Sequence, residues 1–369
     1  MLLAARIVVA GCAIGTLLAT FVSILRTVVL PRGVPARLAR ITFLGIQALL
    51  LLRLRFSSGR EDYRRRDRVL ALQGPLGVFS QLLVWSLLLF VCFAALFWSL
   101  TAAGGPAGSV GHAFQLAGSS MLTLGTVAPS GLAAQMLGFA AAGVGLTLLA
   151  LVITYLPTLY SAFSQREALI SKLVVRAGTP PTGVRLLLRT WELGRFDQLE
   201  EVWGSWEDWF VELGESHTTF PLLGFFRSSH PNNHWVLATE AVLDGATLVI
   251  TACDVPEQTR SELTVEAGVQ ALAAIADFLA IPHAPPDEAS EISLARATFD
   301  EACDALADRG IAMRDDRDDA WRDFRRARAR YEPLLTMLGR MTDAPRSEWS
   351  SWSGEIPLHR PPILRIHNA

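Results

Sequence analysis

The sequence predicts an all-α membrane protein that carries a helical, water-exposed domain behind its membrane part. Three observations lead there. Residues 69–165 contain no Asp, Glu, Lys or Arg, a run of 97 residues long enough for two membrane-spanning helices and a connection between them. An earlier charge-free run of 19 residues separates Arg6 from Arg26, and its roughly 28 Å of helix also crosses a hydrocarbon core. Charge is distributed unevenly as well. Residues 1–165 hold 12 arginines against Glu61, Asp62 and Asp67, whereas residues 166–369 hold 21 basic and 32 acidic side chains. The front part reads as membrane with a basic collar, the rest as an acidic domain in water.

Taken in order, residues 1–30 form the first transmembrane helix. The "VVAGC" at 8–12 resembles a lipoprotein cleavage box, but no basic residue precedes it at 1–3 and the apolar run continues past Cys12, which favours a plain membrane helix. Residues 31–73 are an Arg-rich connection. Within it, "ITFLGIQALLLL" at 41–52 spans about 18 Å as a helix, too short to cross. Arg37, Arg40, Arg53 and Arg55 flank it, so it is expected to lie in the interface or to be re-entrant. The arginines cluster without the every-third-residue spacing of a voltage sensor and are expected to face anionic lipid head groups.

Residues 74–162 hold two further spans, Gly74–Leu100 and 132–156, around a polar, uncharged stretch. The eleven arginines between 26 and 68 place that connection in the cytoplasm. The N-terminus is then outside, residues 101–131 are external, and the acidic domain is cytosolic, which makes this a multi-pass protein of the plasma membrane. Interfacial aromatics fit this topology, with Trp98 near the outer end and Tyr155 and Tyr160 near the inner end. Four cysteines, at 12, 92, 253 and 303, show no C-x-x-C pairing, and no disulfide framework or zinc ribbon is implied.

The stretch "AGSSMLTLGTVAPSG", residues 117–131, is too polar for a lipid-facing helix. "SVGHAFQLAGSSM" at 109–121 can form about three helical turns, followed by "TLGTV". Non-helical backbone at membrane depth is tolerated only where protein buries it or it lines water. Span, short re-entrant helix, hydroxyl- and glycine-bearing strand, span: in this order residues 74–162 resemble the pore module of the potassium-channel family. That family carries a T-V-G-Y-G-like strand after the pore helix. Laid on it, Thr123, Leu124, Gly125, Thr126 and Val127 take those places.

Thr123 and Gly125 match, Thr126 replaces the usual aromatic, Val127 stands at the second glycine, and Ala128 follows where an acid is common. The resemblance implies a homotetramer conducting a monovalent cation, potassium foremost, through backbone carbonyls. The valine opposes selectivity, because a β-branched residue resists φ > 0. Gly138, Gly143 and Gly145 are candidate gating hinges or places of close helix contact. The alternative reading is a non-conducting membrane anchor whose cytosolic domain binds or signals. A transporter would show repeated halves and intramembrane charge, and neither is visible in the sequence.

"GTPPT" at 178–182 ends a linker, 163–182, and a cytosolic helical regulatory domain is expected over 183–344, with an irregular tail at 345–369. Phe196, Leu199, Trp203, Trp206, Phe210 and Leu213 recur three and four apart, the stripe of an amphipathic helix. Further helices are expected at 231–252, 264–281, 288–309 and 315–341. His217, His230 and His234, near Glu215, are candidate metal ligands by residue type. The preferred reading is structural: Pro231 favours the first turn of a helix, with Ser229 or His230 as its cap. No G-x-G-x-x-G, Walker loop, H-E-x-x-H or G-x-S-x-G accompanies a suitable strand or helix. No enzymatic activity, bound cofactor or nucleic-acid partner is expected; membrane lipids are.

Overall fold

The computed structural model describes residues 2–29, 37–56, 63–100, 109–255, 259–283 and 291–352. The expected connections at 31–36, 57–62 and 101–108, the start of the helix expected at 288, and the tail from 353 lie outside them. Among the described residues the regular structure is helical, apart from one antiparallel bridge between Cys253 and Met313. The chain divides into two compact units, one built from 1–56 and 72–161, the other from 57–71 and 162–369. Among the described residues three helices are long and apolar enough to cross a membrane: Leu3–Val28, Tyr63–Leu100 and Leu132–Ala177.

In the first unit, α1 (Leu2–Ile24) runs antiparallel to α4 (Gln73–Leu100). The Arg6 guanidinium lies 5.3 Å from the centre of the Trp98 ring. At the other end the Trp85 indole donates to Ser23 Oγ at 3.2 Å. The expected 12-residue helix at 41–52 is in fact α2, Arg37–Phe56, 20 residues with arginines in its first and last turns. Its apolar centre continues into Arg37, Leu38 and Arg40 before and Arg53–Arg55 after, because arginine propagates a helix well. It packs against α4.

The short helix α5 (Val110–Met121) also packs on α4, with Ala113, Leu116 and Ala117 against Phe93, Ala94 and Phe97. Ala134 and Ala141 of α6 (Leu132–Ala177) close the same cluster. This last helix is 46 residues long and continues through Pro157. It stops where Gly178 takes φ +78°, a conformation that favours glycine.

The second unit surrounds α9 (Trp235–Thr251), a helix buried on all sides, as its apolar residues all round, broken by the charges of Glu240 and Asp244, require. Packed on it are α7 (Gly183–Glu192), α10 (Thr259–Phe278), α12 (Arg317–Arg328) and α13 (Glu332–Thr342), with α8 (Leu199–Thr219) against α10. The predicted aromatic stripe of α8 is core: Trp203, Trp206 and Phe210 are all buried. The helix expected at 315–341 is two helices. Pro333 sits in the first turn of α13, and a helix running through it would drive its ring into the carbonyl of Ala329.

The packed unit also exceeds the expected 183–344. Ile170, Leu173 and Ala177 of α6 enter its core, as do Trp349 and Trp352 beyond α13. The expected linker is therefore helical as far as Ala177. The start of the tail is not helical, but its two indoles make it part of the core.

The arginine collar is two-faced. On α3 (Tyr63–Leu70), Arg64, Arg65 and Arg68 are exposed, whereas Asp67 is buried. Arg66 lies 2.8 Å from Asp343 and Asp67 lies 2.6 Å from Arg227. This part of the collar thus faces protein rather than lipid.

Candidate functional site: the loop after α5

Ser109 caps α5, its hydroxyl accepting from the His112 N–H at 3.1 Å. That supplies one of the helix's unsatisfied N-terminal donors with a partner. The opposite end is organised by Ser119. Its carbonyl accepts from Leu124 N–H at 2.9 Å and from Gly125 N–H at 3.5 Å. Its hydroxyl donates to the Val127 carbonyl at 2.9 Å and accepts from the Val127 N–H at 3.0 Å. One serine thereby folds residues 122–127 back onto the end of α5.

Within this loop Thr123 has φ 54° and Gly125 φ 67°. A threonine there costs about 1–3 kcal/mol, a strain found where surrounding structure over-determines the backbone. Val127 does not share the positive φ; it is half-buried against the α4–α5 core. The five residues singled out in the sequence are therefore brought together, with left-handed backbone at the first and third positions instead of the last. Leu124 is 62% exposed, and Thr126 is exposed too.

The three glycines differ. A Cβ on Gly145 would collide with the Met121 carbonyl, and one on Gly138 would press on the Pro129 ring at 3.1 Å, while Gly143 has open space around it. Gly145 lets α6 approach the end of α5 closely, and Gly138 does so for the segment leading into α6.

The three histidines do not converge. His230 is exposed. His217 is buried, its Nδ1 3.0 Å from the Leu213 carbonyl and its Nε2 3.3 Å from Arg166 Nη1, the pattern of a neutral ring protonated on Nδ1. Burial, then the Arg166 charge, holds its pKa well below the ordinary value. His234 is the cap of α9 in place of Ser229 or His230, its Nδ1 accepting from Val236 N–H at 3.3 Å. Pro231 lies in a turn before the helix. Burial, then Arg227 and Arg166, lowers the His234 pKa as well. Among the described residues no group of three His, Cys, Asp or Glu is placed to hold a metal.

One cluster was not read from the sequence. Arg328, 1% exposed, lies 2.8 Å from Asp244 Oδ1, 2.6 Å from Glu332 Oε2 and 3.8 Å from Glu240 Oε1. Its Nη2 also donates to the Trp349 carbonyl at 2.5 Å. The signal was available: Glu240 and Asp244 stand four apart in an otherwise apolar helix, and Arg328 and Glu332 stand four apart across the α12–α13 break. Charges four apart on one helix, as Glu240 and Asp244 are on α9, share a side.

Compared with protein-family models, with curated proteins and with solved structures, the chain finds no match.

Proposed function

We propose that this chain is the pore-forming subunit of a potassium-channel-like monovalent-cation channel in the plasma membrane. In this reading four copies surround one conduction path, α5 is the re-entrant pore helix, and residues 123–127 are the filter. The inner helix α6 and the cytosolic unit control the gate. The observation that carries the reading is the alternation of left-handed backbone at Thr123 and Gly125 in a loop clamped to α5 by Ser119. Alternating hand turns successive carbonyls toward one side, which is what replacing an ion's hydration shell requires.

The competing reading is a non-conducting, membrane-anchored protein that binds or signals through its cytosolic unit. It is favoured by Val127, whose carbonyl and N–H are both engaged by the Ser119 hydroxyl. Ion-substitution flux into liposomes holding the purified chain separates the two. Channel function requires flux above empty liposomes and its loss in Gly125→Val, since a β-branched residue resists φ near 67°. Val127→Gly should raise potassium flux relative to sodium. Flux equal to empty liposomes in the wild type and both variants would establish the anchor reading.

A further inference from the structure

Among the described residues, the cluster around Arg328 carries a charge imbalance. Three carboxylates, Glu240 and Asp244 from α9 and Glu332 from α13, face one guanidinium from α12, and all four side chains are at most 9% exposed. The Tyr331 hydroxyl donates to Asp244 at 2.9 Å and lies 3.2 Å from Thr247 Oγ1. Ser293 N–H donates to Glu332 at 2.6 Å. Those contacts, with the Arg328 contact, provide for Glu332 and for one oxygen of Asp244.

Glu240 is in a different position. Among the described residues its hydroxyl donors come from the segment after α13: Ser347 at 3.0 Å and Ser350 at 2.7 Å, both to Oε2. Its Oε1, like Asp244 Oδ2, is buried without a hydrogen-bond partner. A buried carboxylate oxygen left so is costly when ionised. The segment that covers it, residues 344–352, is a non-helical strap anchored by Trp349, edge-on to Phe324, and by Ser351, bonded to Thr336. Trp349 offers its carbonyl to Arg328, and the Trp352 indole donates to Pro345 O at 3.1 Å while its ring packs on Gly339.

We propose that Glu240 is a proton-binding site in the cytosolic unit, and that release of its proton to water loosens the 344–352 strap. The ligand is a proton because a single bound proton removes the charge from the one carboxylate that no ion pair closer than 3.8 Å reaches. Protonated, Glu240 buries a neutral acid under two serine hydroxyls. Ionised, it adds an uncompensated negative charge beside Asp244, and opening the strap lets water reach it. Burial first, then the Asp244 charge, raises the Glu240 pKa to about 8, with Arg328 and the two serines offsetting only part. This inference does not depend on the chain being a channel.

The test is hydrogen exchange by mass spectrometry on the full-length protein in detergent or nanodiscs, following peptides covering 344–352 from pH 6.5 to 9. After correction for intrinsic exchange, protection in the wild type should fall by up to about tenfold per pH unit below pH 8 and level off above it, as expected when opening restores an ordinary carboxylate. Glu240→Gln, which keeps an acceptor for the serines, should show pH-independent protection. Ser350→Ala, which keeps the carboxyl, should lower protection at every pH. Protection that is flat with pH in the wild type, or that falls equally in Glu240→Gln, would overturn the proposal whatever the flux assays give.

Discussion

Arg227 holds Asp67 at 2.6 Å, with both side chains at most 8% exposed, although 160 residues separate them. The same guanidinium donates to the Thr342 carbonyl, and Arg66 on the next position pairs with Asp343. The turn of chain that leads into α4 is thus bolted to the end of α13. A buried pair of this kind is a weak source of net stability, but removing one partner strands a charge.

Asp67→Ala should therefore destabilise the second unit by about 3–5 kcal/mol. Adding Arg227→Met should recover much of that loss. Thermal unfolding of the purified chain followed by proteolysis is the measurement, and a single mutant as stable as the wild type would place the pair outside the folded core.

Trp203 and Trp206 are each 1% exposed, and Trp206 stacks edge-on against Trp209 with centroids 4.7 Å apart. Truncating a buried aromatic costs about 3–5 kcal/mol. The double variant Trp203→Ala/Trp206→Ala should unfold or aggregate the second unit, read by loss of its helical signal on heating. A fragment made for this purpose should retain Ile170 and Trp352, because the core includes both.

The pH dependence of stability has two opposed arms. Glu240 retains its proton in the fold, so its contribution is full below the ordinary carboxylate range and is lost as pH rises through about 8. His217 and His234 are held neutral, so theirs is present above about 6.5 and is lost as pH falls through it. Between about 6.5 and 8 Glu240 should lower the melting temperature as pH rises, and Glu240→Gln should flatten that arm. His217→Gln should make the acid arm shallower, with His234 supplying the remainder.

Gly143 and Gly145 separate bending from packing. Gly145→Ala should disrupt the seating of α5, since its Cβ would meet the Met121 carbonyl, whereas Gly143→Ala meets nothing within 4 Å. If Gly143 is a gating hinge, its alanine variant should change flux kinetics while assembly and melting temperature stay as in the wild type. Unchanged flux there, with lost assembly in Gly145→Ala, would leave close contact as the role of these glycines.

Ser119→Ala deletes both hydroxyl bonds to Val127 and leaves two backbone groups to find other partners. The loop should become more mobile while α4 and α6 insert as before; if the chain is a channel, flux should be lost or its ion preference relaxed. Flux with unaltered selectivity would show that the clamp does not shape the conduction path.

Much of this protein was determined by its sequence alone. Ninety-seven residues without charge, and a further 19 between Arg6 and Arg26, leave a chain little choice but lipid or a buried core, and the three long apolar helices follow from that. The tryptophan stripe at 203–210 dictated its own burial, because helical period and apolar surface are local properties. Long-range partners were another matter. Arg66, Asp67, Arg227 and Asp343 carry nothing in their neighbourhoods that names one another, since these ion pairs exist only once α3 is placed beside the segment before α9 and the end of α13. Trp349 and Trp352 looked like an irregular tail because no helical period includes them. The tertiary structure alone decided that Trp349 lies over Arg328 and that Ser347 and Ser350 beside it cover Glu240, where desolvation changes what a carboxylate does.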